Sequence, residues 1–378
     1  MDSVGAGALP DASAYGDTGS DTLGHIAAHT PLAVPTLRSL GLAHVAAIGG
    51  PAAEPAVGAY GRMAEVSAGK DSVTGHWELM GVILDRPFPT FPHGFPSSVV
   101  DAFAAQTGRG VLGNRVASGT QVLEDLGPAH LATGQWIVYT SADSVFQIAA
   151  HEDVVPVEEL YRACAAAYAL VCEGLGVGRV IARPFVGTPG HFVRTSHRHD
   201  YALPPFSETL PDRATARGVP VVGIGKFPDL FAGRGFHRSV PTSSDRDGMD
   251  ALERALQSEP TGLVLVNLVD FDTQYGHRND PAGYAANLEQ FDARLAALLP
   301  RLGAHDLLVV CADHGNDPTT PSTDHSREYV PLLVTGPAVR RHVSLGTRAT
   351  FADLAQTLAE ALALGHMQHG TSFLSEIC

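Results

Sequence analysis

Two acids and three histidines fall where a catalytic metal centre could be assembled. Asp272 and Asp313 each follow a run of apolar residues. His277 comes shortly after the first, His314 directly after the second, and His325 further along. Carboxylate with imidazole suits borderline or hard divalent ions such as manganese, zinc and iron. One ion with an open catalytic position seldom takes five protein ligands. Two ions about 4 Å apart use them all and clamp the attacking and leaving oxygens of a phosphoryl transfer. A single Asp–His pair is more simply a turn or helix cap. Two such clusters with a third histidine favour metal.

A second chemical signal is Gly69-Lys70-Asp71-Ser72-Val73-Thr74-Gly75-His76-Trp77-Glu78. It is superficially like a nucleotide-binding P-loop, but Asp71 stands where that loop needs Ser or Thr, and residue 64 is Ala64 rather than glycine. A hydroxyl residue before a glycine can sit on a tight turn that opens a helix, where backbone N–H groups and the helix dipole favour a phosphoryl group. Its hydroxyl is a weak nucleophile until a cation lowers its pKa. Taken alone, Thr74 reads better as a cap.

The elements that must position these residues are clearest in the C-terminal half. Residues 262–272 and 306–311 read as buried strands ending in acids, and 330–335 as another strand. Pro281 opens a helix behind Asp280, with Tyr284, Leu288, Phe291, Leu295 and Leu298 on one face. A closing helix spans 350–364, capped by Thr350 with Asp353 three residues on. This alternation predicts a mostly parallel sheet flanked by helices, an α/β core whose ligands lie beyond the strand carboxyl ends. In the middle, Pro87–Pro96 and a later group of prolines bracket strands at 135–140 and 179–182 and a helix at 157–175. The expected organisation is core 1–87, an inserted smaller α/β cap at 88–206, and core 207–378.

Composition narrows the function class. The 378 residues are 44% hydrophobic and 17% charged, enough for a substantial core. A net charge of −15 disfavours nucleic acid and anionic lipid. An enzyme of sugar phosphates would then need cations or a local basic pocket. Four cysteines without a C-x-x-C pair suit reduced thiols in the cytoplasm. No membrane-length apolar run or secretory leader is evident. Many of the 18 histidines are expected to be ordinary.

Several long stretches, in order along nearly the whole chain, resemble phosphopentomutases, a family of alkaline phosphatase-like metalloenzymes. They are GDTGSDTLGHI (16–26), GKDSVTGHWELMG (69–81), YTSADSVFQIAAHE (139–152), RHDYALPPF (198–206), VVGIGKFPDLFAGRG (221–235), NLVDFDTQYGHRNDPAGYA (267–285) and DHGNDPT…DHSRE (313–328). The resemblance implies that Thr74 carries a phosphoryl group. Asp2, Asp313 and His314, with the Thr74 oxygen, match the ligands of one metal, and Asp272, His277 and His325 those of another. The metal is expected to be manganese. Ser141 and Asp143 match positions near the sugar. Arg183, Arg194, Arg198 and Lys226 are the basic candidates for the non-reacting phosphate, although a lone Arg194 or Arg198 also reads as a solvated charge.

The implied reaction interconverts ribose or deoxyribose 1-phosphate and 5-phosphate through a 1,5-bisphosphate, with a bisphosphate sugar as activator, a cap that closes against water, and a place in nucleoside catabolism. The partners are then small pentose phosphates. The oligomeric state is open. Alternatives are a phosphatase, phosphodiesterase or other phosphomutase on the same centre, or an inactive homologue. In the family, the acid matched by Asp2 follows an apolar strand, whereas here only Met1 precedes it. The expectation is a core lacking its first strand, through an internal methionine taken as the start or a shortened protein, with weaker metal binding and lower stability.

Overall fold

A computed structural model describes residues 1–141, 144–259 and 261–378. The strands, in chain order, are β1 (Ala59–Met63), β2 (Val111–Val116), β3 (Trp136–Thr140), β4 (Val145–His151), β5 (Arg179–Val186), β6 (Val193–Arg194), β7 (His199–Ala202), β8 (Val221–Ile224), β9 (Arg238–Val240), β10 (Leu263–Val266), β11 (Leu308–Cys311), β12 (Val330–Thr335) and β13 (Val343–Arg348). The chain divides into two compact units. One joins Met1–Arg86 to Pro205–Cys378, and the other is Pro87–Pro204.

The first unit holds two sheets. One, in the order β10-β8-β9, is parallel throughout. The other runs β11-β12-β1-β13, with β12 antiparallel to both neighbours and β13 parallel to β1. All six residues of β12 are buried, so its sequence is a continuous apolar run rather than an alternation. The helix Pro281–Leu298 begins as its sequence implies: Asp280 accepts from the Gly283 amide at 2.9 Å, and the expected apolar face is buried.

Three expectations change in detail. The apolar run 262–272 stays a strand only over Leu263–Val266, and Phe271–Tyr275 forms a π-helical turn. Helix 157–175 is α-helical over Val157–Tyr168 and continues as a π turn, Ala169–Glu173. The closing helix spans Ala352–Ala361 without a capping box. Thr350 Oγ1 accepts from the Ala352 amide but donates to Glu78 at 2.7 Å, and Asp353 pairs with Arg348 at 2.8 Å. Longer-range partners thus displace the local cap.

The second unit is built on a sheet ordered β2-β3-β4-β5-β6, with β7 also paired to β5. Phe103, Trp136, Phe146, Ile148 and Leu160 pack in its core. Among the described residues of the whole chain, no helix is long and apolar enough to cross a membrane.

A seam runs through the first unit. Among the described residues, β10 pairs only with β8 and β11 only with β12. Both edges line one cavity with apolar walls that include Met1, Val264, Val266, Leu308 and Val310. The Met1 ammonium donates to the Cys311 carbonyl at 2.9 Å, and the Asp2 amide to the Leu268 carbonyl at 3.0 Å. The first two residues therefore bridge the carboxyl ends of both strands. A sheet edge facing an apolar void leaves ladder groups unpaired and apolar surface uncovered. Appending five β-forming apolar residues ahead of Met1 should fill this seam. Burial of two or three such side chains is worth about 5 kcal/mol, on the order of 10 °C in the thermal midpoint. Calorimetry of the two chains checks this; equal midpoints would count against it.

Candidate metal centre and nucleophile

The site is assembled at the carboxyl ends of β10 and β11. After β10 the chain enters the π turn that carries Asp272, only 2% exposed, and then a 3-10 turn, Gly276–Arg278, that carries His277. Single π turns often mark functional positions because they redirect side chains within one turn. After β11 come Asp313 and His314, both buried. A bridge between Gly315 and Ser326 closes the next loop, at 3.1 and 2.8 Å, and returns His325 to the same place. The rings of His314 and His325 stack with centroids 3.9 Å apart, and His277 stacks on His325 at 4.9 Å.

Each imidazole is oriented in the same way. Nδ1 of His277 faces the Thr323 carbonyl at 2.7 Å, Nδ1 of His314 the Gly315 carbonyl at 3.0 Å, and Nδ1 of His325 the Lys70 carbonyl at 3.0 Å. A carbonyl only accepts, so each Nδ1 carries the proton and each Nε2 is turned inward. Metal-binding histidines are held in this manner. His277 Nε2 lies 3.2 Å from Asp272, His325 Nε2 3.5 Å from Asp272, and His314 Nε2 3.4 Å from Asp2 and 3.1 Å from Asp313.

Two buried groups of donor atoms fit a cation: Asp2, Asp313 and His314, and Asp272, His314 and His325. Asp2 Oδ1 and Asp313 Oδ2 are buried without a hydrogen bond. Such oxygens are costly unless something positive completes them. Residues and chemistry therefore fit a pair of divalent ions. Burial alone would raise the Asp272 and Asp313 carboxyls. His277 and His325 outweigh it for the first, and His314 and His76 for the second, holding both well below the usual carboxylate range. Burial lowers His314, yet Asp313, with Asp2 and Asp272, holds it well above an ordinary imidazole.

Thr74 lies in the first turn of the helix Ser72–Leu79. The cap is not Thr74 but Asp71, whose Oδ1 accepts from the Val73 and Thr74 amides at 3.0 and 3.1 Å. Its Oδ2 accepts from Thr74 Oγ1 at 2.5 Å. The loop around the threonine is fastened to the candidate ligands. Ser72 Oγ lies 3.2 Å from His314 Nε2, and Lys70 supplies the carbonyl that orients His325. Gly75 backs onto Asp313, where a Cβ would meet the carbonyl oxygen at 2.0 Å. Buried Arg327 donates to the Ser67 and Gly69 carbonyls at 2.8 and 2.7 Å and pairs with Glu65. Buried Glu78 accepts from the amides of Val66, Ser67 and Phe351.

Lys226 donates to Asp2 at 2.9 Å and lies 3.9 Å from Asp272, among the candidate ligands. Arg183, Arg194 and Arg198 belong to the second unit. Burial, with Arg198 and Arg194 nearby, pushes Arg183 down to about 9. Its Nε donates to Gln147 at 3.0 Å, while Arg198 makes a two-pronged contact with Asp200. Tyr139 Oη is buried there without a hydrogen bond. Ser141 follows β3 in the same unit. Asp143 lies outside the described residues. Sequence reasoning passed over Asp71, His76, Asn316 and Arg327. Asn316 donates to Asp272 at 2.9 Å, and His76 Nδ1 lies 3.1 Å from Asp313. Their only signal was membership of the motifs that hold Thr74, Asp313 and His325.

Comparison with known proteins agrees with this chemistry. The profile of the Metalloenzyme superfamily matches residues 1–366. A phosphopentomutase of Caldanaerobacter subterraneus subsp. tengcongensis is 52% identical over 378 residues, covering 100% of this chain and 96% of the relative. One of Anaeromyxobacter dehalogenans is 56% identical over 379 residues, covering 100% and 97%. Among solved structures, a phosphoglycerate mutase of Leishmania mexicana is 14% identical with a TM-score of 0.47, over 98% of this chain and 95% of that one. With two full-length relatives above half identity, a superfamily match over nearly the whole chain and a site to suit both, the chain belongs to the phosphopentomutase family of metalloenzymes.

Proposed function

We propose that the chain interconverts ribose or deoxyribose 1-phosphate and 5-phosphate by way of phosphorylated Thr74. The observation that carries this reading is a threonine hydroxyl on a helix's first turn, in a loop fastened to three metal ligands. In the first half-reaction the phosphoryl group passes from Thr74 Oγ1 to the free hydroxyl of a pentose phosphate. The P–Oγ1 bond breaks as the bond to the sugar oxygen forms, giving a 1,5-bisphosphate. After the sugar turns round, its other phosphoryl group returns to Thr74. A bisphosphate sugar would prime the free enzyme.

Asp2, Asp313, His314 and Thr74 would hold one divalent ion, and Asp272, His277 and His325 another. We take both as manganese. When bound, the ions supply positive charge against the phosphoryl oxygens. The chain's own residues do the rest. The amides of Val73 and Thr74 are taken by Asp71, so the helix terminus acts on Thr74 through its dipole. Lys226, beside Asp2, adds a cation to a protein of net charge −15. Arg183, Arg194 and Arg198 are the proposed grip on the non-reacting phosphate, with Asp200 already partnering Arg198. Ser141 and Asp143 are proposed to contact the sugar. Small pentose phosphates in the cytoplasm, as part of nucleoside catabolism, are the proposed substrates; nucleic acid and membranes are not proposed partners.

Thr74→Ala should retain divalent binding and lose conversion of ribose 1-phosphate by at least about a thousandfold, as removal of a covalent nucleophile does. Appreciable turnover by that variant removes Thr74 from its role. Release of inorganic phosphate in place of isomerisation would reassign the centre to hydrolysis. Loss of a ligand, as in His325→Ala, should weaken manganese binding by more than about 100-fold in calorimetry, beyond the usual effect of an outer partner. Manganese at 100 times its dissociation constant should add about 2.7 kcal/mol to folding stability, and chelation should remove it; an unmoved melting curve contradicts the metal centre.

A further inference from the structure

The cap of the nucleophile's helix has a divided job. Asp71 Oδ1 is committed to the Val73 and Thr74 amides, so the carboxylate cannot rotate away. Its Oδ2 is thereby fixed 2.5 Å from Thr74 Oγ1. Gly69, at φ +145°, lies over this pair. A Cβ there would come within 2.9 Å of Thr74 Oγ1 and 3.3 Å of Asp71 Oδ2. Neighbouring Lys70 does not neutralise the carboxylate, because its ammonium is held by Asp17 at 3.1 Å and Asp324 at 3.4 Å. Among the described residues, no cation pairs with Asp71. A cap needs one oxygen. The second, aimed at the reacting atom, calls for another explanation.

We propose that Asp71 is a catalytic residue that sets the balance between free and phosphorylated Thr74, a role that rests on the phosphothreonine reading above. Free Thr74 donates its hydroxyl proton to Oδ2, a charge-assisted hydrogen bond. When Thr74 takes the phosphoryl group, the Oγ1 electron pair makes the new P–O bond and the sugar oxygen keeps the pair of the broken one. One proton passes, net, from Thr74 to the sugar oxygen. Oγ1 then has no proton to donate. An ester oxygen faces a carboxylate, and a group of charge about −1.5 to −2 lies next to it. The hydrogen bond is lost and a like-charge contact replaces it. Asp71 therefore raises the phosphoenzyme relative to the free enzyme. The helix terminus and the neighbouring cations pull the other way, and a phosphothreonine held too well would not pass its phosphoryl group back. Asp71 keeps it transferable.

Asp71→Asn separates this role from capping. The amide oxygen still accepts from both backbone N–H groups, while the NH2 donates towards a phosphoryl oxygen. Asp71→Ser caps with neither charge nor amide. Wild type and both variants, loaded with manganese, are equilibrated with the same series of ribose 1,5-bisphosphate and ribose 5-phosphate mixtures. The phosphorylated fraction is read by intact mass, and the discharge rate by adding excess ribose 5-phosphate. Both variants should shift the phosphorylated-to-free ratio upward, Asn the more, by about tenfold or greater, as expected for a like-charge contact near a protein surface. The Asn phosphoenzyme should discharge more slowly, with manganese affinity and thermal midpoint as in wild type. An unchanged or lower ratio in both variants overturns the inference while leaving the phosphothreonine reading intact. No phosphate on Thr74 of the wild type overturns that reading, and the inference with it. Should the Asn protein fail to fold, the Ser protein decides alone by the same ratio.

Discussion

Three carboxylates that water no longer reaches set the terms for this protein. Asp2, Asp272 and Asp313 are buried within a few ångströms of one another and of three imidazoles. Such a group is stable only if its charges are compensated and its oxygens satisfied. The protein supplies part of the compensation itself, through Lys226 and the orientation of His277, His314 and His325. It leaves two carboxylate oxygens without hydrogen bonds. The inward Nε2 atoms and the unfilled acceptors together are a demand for cations, and the surrounding turns keep that demand in place.

Most of those turns owe their shape to long-range ties. Arg327 connects the strand-end loop that carries His325 to the loop before Thr74, through the carbonyls of Ser67 and Gly69. Glu78 ties the helix of Thr74 to the start of the closing helix through Phe351 and Thr350. His76 lies against Asp313 on one side and takes the Asn267 amide at 3.1 Å on the other, joining the ends of β10 and β11 through the helix of Thr74. Buried charged residues with several partners are expensive to move, so Thr74 and the candidate ligands are tied to one another.

What could be read from the sequence follows from this. The apolar runs that become β10, β11 and β12 stand out as continuous stretches, though only β12 is buried throughout and β10 and β11 stay half-buried, and the helix Pro281–Leu298 stands out because Asp280, Pro281 and its apolar face agree. The metal-ligating types stood out by clustering after those runs. Thr74 did not; as a lone hydroxyl it was indistinguishable from a cap, and only the family resemblance singled it out. Arg327 and Asn316 were hidden because their roles depend on what a distant segment brings to them, whereas Asp71 has local partners in Val73 and Thr74 and was hidden because a capping acid looks the same whether or not its second oxygen is used. The π turn at Phe271–Tyr275 was hidden too, since an apolar run gives no sign of where its backbone leaves the sheet. Thr350 shows the converse. Its local pattern spelled a capping box, and a partner 272 positions away in sequence claimed its hydroxyl.

The void beside Met1 separates two blocks of sheet, one delivering Asp272 and His277 and the other Asp313, His314 and His325. Bound ions would therefore draw ligands from both blocks together. Compression acts on empty volume, and folded proteins yield to it in proportion to the voids that unfolding eliminates. The cavity and the cluster of carboxylates and imidazoles lie at the ends of the same two strands, so pressure and loss of any bound ions should both act there.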